Sequence, residues 1–195
     1  MKETFKKGRP DLTLRLIHLG IMIFALSAWL TGEWGEDYKK GAHLGFTLHK
    51  WLGMGLTLPL VLRLLYGMIG PADLRFSRWV PWTGERLQHA WRGVKGVLLL
   101  NPPDRTAHLG MAGIIQAAGI ALFAWMAATG SILFLFLEPG RRASGPLRGV
   151  MELHEAGEGL IPAYLIVHVG AVTIHALFGR QIWRKMLFLD TAGRG

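Results

Sequence analysis

The chain has 195 residues, of which 51% are hydrophobic, and a formal net charge of +9. It contains no cysteine, which excludes covalently attached haem c, thiolate-bound iron–sulfur clusters, disulfides and zinc ribbons. The apolar residues form long runs rather than the short amphipathic stripes of soluble proteins, so the sequence predicts an all-α integral membrane protein.

Four apolar segments are each long enough to cross the hydrocarbon core of a bilayer, which takes about 20 helical residues. They predict transmembrane helices over about residues 12–31, 50–69, 108–137 and 150–179, within one domain that extends over residues 1–195. The first segment follows a basic arm and contains the small-x-small site Ala25-Leu26-Ser27, as a signal peptide would. Its length of nearly twenty residues favours a transmembrane helix instead.

Lysine and arginine are concentrated on one side of these four segments. That side holds both termini and the connection between the second and third segments, with Lys2, Lys6, Lys7, Arg9, Arg15, Arg75, Arg78, Arg86, Arg92, Lys95, Arg105, Arg180, Arg184, Lys185 and Arg194. The positive-inside rule therefore predicts that both termini are cytoplasmic and that the more acidic loops lie outside. A cytoplasmic surface against anionic membrane lipid explains the net charge without a nucleic-acid partner.

The connection between the second and third segments has an amphipathic pattern. Its apolar residues are Trp79, Trp82, Leu87, Trp91, Val94 and Val97 to Leu100, and Arg86, Arg92 and Lys95 lie among them. This pattern predicts a helix that lies in the membrane interface. Basic residues among aromatics could also bind nucleic acid, but the flanking membrane segments disfavour that interpretation. Asn101-Pro102-Pro103 ends the segment and turns the chain into the third helix.

Two of the eight histidines lie on the fourth apolar segment, and an ionisable residue inside a membrane segment indicates a functional site. Fourteen residues separate His154 from His168, so both face the same side of a helix, about 21 Å apart along its axis. On the predicted topology His49 is level with His154 near the outside, and His18 is level with His168 near the cytoplasm. The sequence therefore predicts two metal centres, each held by a pair of histidines.

Two neutral imidazoles can occupy both axial positions of a haem iron without placing a charged side chain in lipid. Small residues near these histidines would let a porphyrin lie between the helices, and they equally permit close helix packing: Gly53, Gly157, Gly170 and Ala171. His175 shares a helix face with His168 and is the alternative inner ligand, whereas His43 is the alternative to His49. His89 and His108 are interpreted as surface residues.

Several motifs resemble the bacterial cytochrome b561 family, which includes the b-type cytochrome subunits of nickel–iron hydrogenases. They are RLIHLG, WLTG, LHKWLG, RLLYGMIGPADLRFSRW, ELHE, LIVHVGAVTIHALF and IWRKM. The resemblance extends from about Leu12 to Met186. It departs from the family pattern at Leu19, where a tryptophan is commoner, and in the segment LLLNPPDRTAHLG, which lacks the usual glycine-histidine-asparagine-proline order.

The resemblance implies a four-helix bundle in the bacterial inner membrane that binds two haems b. It assigns His18 and His168 to one haem and His49 and His154 to the other, which is the pairing already reached from depth. Haem propionates need cationic partners, for which Arg15, Lys50 and Arg63 lie at suitable depths; snorkelling to headgroups is their ordinary role. Glu155 and Glu158 are candidate proton acceptors for a quinol, although carboxylates are also favoured at a helix N-terminus.

Three functions follow from this interpretation. The leading one is electron transfer between the quinone pool and a periplasmic oxidoreductase subunit or cytochrome c, with the chain as the membrane-anchor cytochrome. The second is a free-standing superoxide:quinone or quinol oxidoreductase, so the sequence leaves open whether the chain is itself an enzyme. The third is a haem-free transporter or structural membrane protein. A homo-oligomer is compatible with all three.

Overall fold

The computed structural model describes residues 11–98, 110–177 and 182–189, and this part of the chain is built from helices. In chain order the α-helices are α1 Leu12–Leu30, α2 Gly32–Glu36, α3 Leu44–Ile69, α4 Phe76–Trp79, α5 Gly84–Leu98, α6 Met111–Phe136, α7 Pro146–Leu177 and α8 Ile182–Met186. A 3₁₀ turn, Asp37–Lys40, follows α2. Four helices, α1, α3, α6 and α7, are long and apolar enough to cross a membrane. The predicted all-α fold with four membrane helices is confirmed.

Two of the four long helices begin earlier than the apolar segments indicated. Helix α3 begins at Leu44, where the His43 side chain caps it by accepting a hydrogen bond from the Phe46 N–H at 3.4 Å. Helix α7 begins at Pro146, a residue suited to the first helical position because it has no N–H to satisfy. The first turns of both helices are partly polar, so hydropathy alone did not include them. His49 and His154 therefore lie inside their helices rather than at the ends.

Some predicted features lie outside the described residues. They are His108, residues 178–179 of the fourth helix, and the basic residues Lys2, Lys6, Lys7, Arg9, Arg105, Arg180 and Arg194. Helix α6 extends over Met111–Phe136 with Gly110 as its N-cap, so it begins slightly later than the predicted residue 108.

The four long helices form an antiparallel bundle in which α1 packs on α3, α3 on α6, and α6 on α7. Its core consists of Ala25, Leu56, Leu60, Leu122, Phe123, Met126, Ala127 and Ile161. Close approach of α1 to α3 depends on Gly20, because a Cβ there would come within 3.1 Å of the Pro59 Cβ. The outward faces remain apolar, as on Leu58, Ile69 and Ile166, which suits a helix surface in contact with lipid. The protein is embedded in a membrane.

The connection between α3 and α6 contains α4 and α5. Trp79 is buried and its indole N–H donates a hydrogen bond to the Leu74 carbonyl at 3.1 Å. Helix α5 packs on α6 near Gly93, where a Cβ would lie 3.4 Å from the Met111 nitrogen, while Leu87 and Trp91 remain exposed. The exposed apolar residues suit a helix in the membrane interface, and that placement stays a prediction.

Candidate functional site

The bundle brings four of the eight histidines together as two pairs of facing rings. The His49 and His154 ring centroids are 6.3 Å apart with the planes at 82°, and those of His18 and His168 are 6.4 Å apart at 36°. We refer to these as the His49 pair and the His18 pair, and to the corresponding ends of the bundle as the His49 end and the His18 end. The ring contacts agree with the pairing expected from depth.

The separation of the rings fits a metal ion between them. An imidazole nitrogen binds a metal at about 2 Å, so two rings that share one iron would have centroids roughly 6 Å apart. In the described part of the chain, no group of three or more histidine, cysteine, aspartate or glutamate side chains could hold a metal ion. Two protein ligands are enough where a porphyrin supplies the other four nitrogens, so this donor set fits haem iron better than a bare metal ion.

His49 is oriented by a backbone carbonyl and by a glycine. Its Nδ1–H donates a hydrogen bond to the Ala28 carbonyl near the end of α1, at 3.0 Å. This bond leaves Nε2 as the free, unprotonated nitrogen, the usual arrangement for a histidine that binds a metal. Helix α2 covers the ring at Gly35, where a Cβ would lie 2.8 Å from the imidazole Cδ2. The site therefore needs glycine at this position.

His154 is oriented by a threonine on the neighbouring helix. Its Nδ1 lies 2.8 Å from the Thr129 hydroxyl on α6. That hydroxyl donates its own proton to the Trp125 carbonyl at 2.8 Å, so it accepts the bond from His154 and leaves Nε2 free. The ring rests against Gly130, where a Cβ would approach the imidazole Cε1 to 3.1 Å.

A cavity of about 550 Å³ adjoins the His49 pair between the four long helices. Gly53, one of the predicted small residues, lines it, and a Cβ at Gly53 would meet nothing within 4 Å. Lys50 also lines the cavity, with its Nζ 4.3 Å from the centre of the Phe134 ring. Glu155 and Glu158, on α7, line it as well. The cavity therefore has room for a planar ligand beside two imidazoles, and its lining also includes Lys39 and Lys40.

The His18 pair is held differently. Tyr164 stacks on the His168 ring with centroids 5.5 Å apart and planes at 22°, and its hydroxyl lies 3.5 Å from His168 Nδ1. His18 Nδ1 is buried and has no hydrogen-bond partner among the described residues. Aromatic contact therefore takes the place of the short hydrogen bonds found at the His49 pair.

Two buried arginines lie near the His18 end. Arg63 is 7% exposed and Arg15 is 9% exposed, and the Nη1 of the first and the Nε of the second have no hydrogen-bond partner in the described part of the chain. The Arg63 guanidinium lies 5.2 Å from the Phe76 ring centre, and that of Arg15 lies 3.8 Å from the Phe188 ring centre. Buried guanidinium groups with unused donors suit an anionic ligand group, such as a carboxylate.

The remaining predicted residues take other places. His43 caps α3 instead of facing His154, and His89 is exposed on α5. The ring that contacts His18 is that of His168, and His175 lies two helical turns further along α7. Gly157 serves close packing, because a Cβ there would overlap the Met126 sulfur.

Three residues that orient the histidines were not identified from the sequence. Thr129 and Gly35 lie on elements other than the histidine they contact, so no local motif marks them. Tyr164 could have been found, since it precedes His168 by four residues and such pairs are neighbours on a helix surface.

The comparison with known proteins agrees with this site. A family model described as prokaryotic cytochrome b561 matches residues 9–188 of the chain. No curated protein and no solved structure matches it. The family match covers nearly the whole chain, including all four facing histidines. The chain therefore belongs to the prokaryotic cytochrome b561 family of membrane-embedded cytochromes, which bind haem b and transfer electrons across the membrane.

Proposed function

We propose that the chain binds two haems b and transfers electrons between the quinone pool and a redox partner outside the bacterial inner membrane, as a membrane-anchor cytochrome subunit. The observation that carries this proposal is the presence of two imidazole pairs with centroids 6.3 and 6.4 Å apart. They lie about 21 Å apart along α7, which takes them most of the way across a hydrocarbon core of about 30 Å.

Haem b supplies reversible one-electron transfer at its iron. The protein's part is to hold each iron between two neutral nitrogens, His49 with His154 and His18 with His168. The Ala28 carbonyl and the Thr129 hydroxyl accept the Nδ1–H bonds of the His49 pair, which orients both rings. A haem held by two histidines would have no position left for a small gas, so such a site would suit electron transfer.

Cationic side chains support the binding of two propionate-bearing cofactors. Lys50 lines the cavity beside the His49 pair, while Arg15 and Arg63 are buried near the His18 end with unused donors. A buried cation without an anionic neighbour is costly, so each arginine would be stabilised by a carboxylate from a bound ligand.

The distribution of lysine and arginine supports a cytoplasmic His18 end and a periplasmic His49 end. On this orientation the His49 pair would exchange electrons with a periplasmic oxidoreductase subunit or cytochrome c. Glu155 and Glu158, beside the His49 pair, are the candidate proton acceptors for a quinol.

The free-standing superoxide:quinone oxidoreductase receives less support. Its small anionic substrate would be attracted by Arg141, Arg142 and Arg148 at the His49 end. Two of these three are paired with carboxylates, Arg141 with Glu138 at 2.7 Å and Arg148 with Glu152 at 2.9 Å. Their charges are largely offset, which favours the subunit function.

The test is haem content, measured by reduced-minus-oxidised spectra of single histidine variants. We expect His49→Ala and His154→Ala to remove the same haem, and His18→Ala and His168→Ala to remove the other. His89→Ala, at an exposed position on α5, is the matched control and should keep both haems. If His168→Ala keeps both haems and His175→Ala loses one, the assignment at the His18 end is wrong. A colourless purified protein would reject the whole proposal.

The same preparations test the quinone connection. Oxidation of a quinol by the isolated chain would favour a free-standing enzyme. Dependence on a co-purifying partner would favour the subunit.

A further inference from the structure

Tyr164 occupies a position on α7 that the proposed electron transfer does not yet use. It lies one turn before His168 on the same helix face, and the two rings are stacked at 5.5 Å with planes at 22°. The stack limits rotation of the imidazole about its Cβ–Cγ bond. Of the four facing histidines, His168 is the one whose ring is stacked on a tyrosine in the described part of the chain.

Helix α6 in turn holds the Tyr164 ring in place. The rings of Tyr164 and Phe123 make a T-shaped contact, with centroids 5.7 Å apart and planes at 88°. The phenol hydroxyl lies against the backbone of Gly119, where any Cβ would overlap it. Contacts with α6 therefore fix the tyrosine ring, which can then fix the histidine ring.

The hydroxyl adds a directional contact. Its oxygen is 3.5 Å from His168 Nδ1, long for a hydrogen bond but within reach of the Nδ1–H. An acceptor at Nδ1 leaves Nε2 as the free nitrogen and makes the imidazole a stronger electron donor. Thr129 makes the corresponding contact with His154 at 2.8 Å.

We propose that Tyr164 is a positioning residue for His168, setting the plane of the imidazole through its ring and accepting the Nδ1–H through its hydroxyl. The proposal rests on the assignment of His168 as a haem ligand. Ring stacking contributes more than the long hydrogen bond, so removal of the ring should have the larger effect. A stronger imidazole donor stabilises ferric iron, hence loss of the hydroxyl should raise the midpoint potential of that haem.

The experiment is a redox titration of both haems in the purified full-length chain, together with the electron paramagnetic resonance spectrum of the ferric haems. Tyr164→Phe should raise the potential of one haem, the one that His168→Ala removes. Tyr164→Leu should shift that potential further and change the low-spin resonance signal, which depends on the orientation of the imidazole planes. The potential of the second haem should stay constant. It is the internal control, because a disturbed fold would change both potentials.

Gly119→Ala provides an independent variant, because it displaces the tyrosine without changing either ring. It should reproduce the shift of Tyr164→Leu, and it should add nothing when combined with Tyr164→Leu. A purely structural role would instead give additive effects, or effects on both haems, and would overturn the proposal. Unchanged potentials in Tyr164→Phe and Tyr164→Leu would also overturn it.

The ligand assignment fails separately. If His168→Ala keeps both haems, both the assignment and the role of Tyr164 are wrong. If His168→Ala removes one haem while the Tyr164 variants shift neither potential, the proposed function stands and the positioning role alone is rejected.

Discussion

The two histidine pairs have nearly equal ring separations and different surroundings. At the His49 pair both imidazoles donate to oxygen, the Ala28 carbonyl at 3.0 Å and the Thr129 hydroxyl at 2.8 Å. At the His18 pair one imidazole stacks on Tyr164 and the other has a buried Nδ1 without a partner in the described residues. The bundle therefore reaches the same ring spacing in two ways, by hydrogen bonds at one end and by aromatic packing at the other.

The charges near the two pairs differ as well. The cavity beside the His49 pair is lined by carboxylates and lysine amines together, whereas the His18 end contains the buried Arg15 and Arg63. Hydrogen bonding to the ligands and local charge are two of the factors that set the potential of a haem. The comparison thus predicts two haems with different potentials, which the following variants test one end at a time.

The largest effect is expected for Gly35→Ala. Its methyl group would lie 2.8 Å from the His49 Cδ2, so the imidazole must move relative to the His154 ring that it faces. We expect about one haem per chain to be lost, measured by the pyridine haemochrome assay. Alanine is a better helix former than glycine, so the loss would not reflect a weaker helix.

Gly159→Ala is the control for this variant, because a Cβ at Gly159 meets nothing within 4 Å. Full haem content in Gly35→Ala would show that α2 does not constrain His49. The two pairs would then differ less in how their rings are held.

An intermediate effect is expected for Thr129→Val, which removes the acceptor of the His154 Nδ1–H and preserves the shape of the side chain. Loss of such a partner typically costs about 10–100-fold in metal affinity. We expect weaker haem retention at the His49 pair and a higher midpoint potential there, measured by haem-loss kinetics and redox titration.

Thr173→Val is matched to this variant, since Thr173 also donates to the carbonyl four residues earlier but is exposed. It should behave like the unmodified protein. A shift at the His18 pair in Thr129→Val would contradict the separate control of the two ends.

The smallest effect concerns the junction of α1 and α3 at the His18 end. Burial acts to raise the pKa of the Asp11 carboxyl, but the hydrogen bonds from the Leu14 N–H and the Tyr66 hydroxyl outweigh it and hold the pKa below its ordinary value. A carboxyl with a lowered folded-state pKa stabilises the fold above the ordinary value, about pH 4, and loses this contribution as the pH falls further.

Thermal unfolding in detergent, followed with Asp11→Ala and the unmodified chain, checks this expectation. The difference in unfolding midpoint temperature between the unmodified chain and Asp11→Ala should be largest near pH 6 and should decrease below about pH 4. Tyr66→Phe should reduce the same difference by removing one of the hydrogen bonds that the carboxylate accepts. A difference that does not change with pH would assign the effect to packing rather than to the carboxylate.

The fold and the pairing of the rings could be predicted because, in a membrane protein, the depth of each residue in the bilayer can be estimated from the sequence. Each long apolar segment must cross, alternate segments run in opposite directions, and depth follows from position along the helix. His18 and His49 could therefore be matched to His168 and His154 without knowing how any helix is rotated. That these histidines bind haem stays a prediction.

The contacts that orient the rings could not be predicted in the same way. Whether Thr129 or a neighbour faces His154 depends on the rotation of α6 about its own axis, which hydropathy does not determine. The start of α3 was predicted near residue 50 because the His43 side chain that caps the helix leaves no signal in hydropathy, although Phe46 in the first turn is buried. The choice between His168 and His175 also required the structure, because both lie on one face of α7 and only the packing of the helices shows which ring faces His18.

Helix α7 contributes one histidine to each pair. The number of residues between His154 and His168 therefore determines both the distance and the relative orientation of the two pairs. Inserting a single residue there would rotate one ring by about 100° relative to the other and shift it by about 1.5 Å. Helices α1 and α3 each contribute one histidine and carry no such constraint. Insertions between the two histidines of α7 should therefore be rarer among homologous chains than insertions in any loop of the bundle.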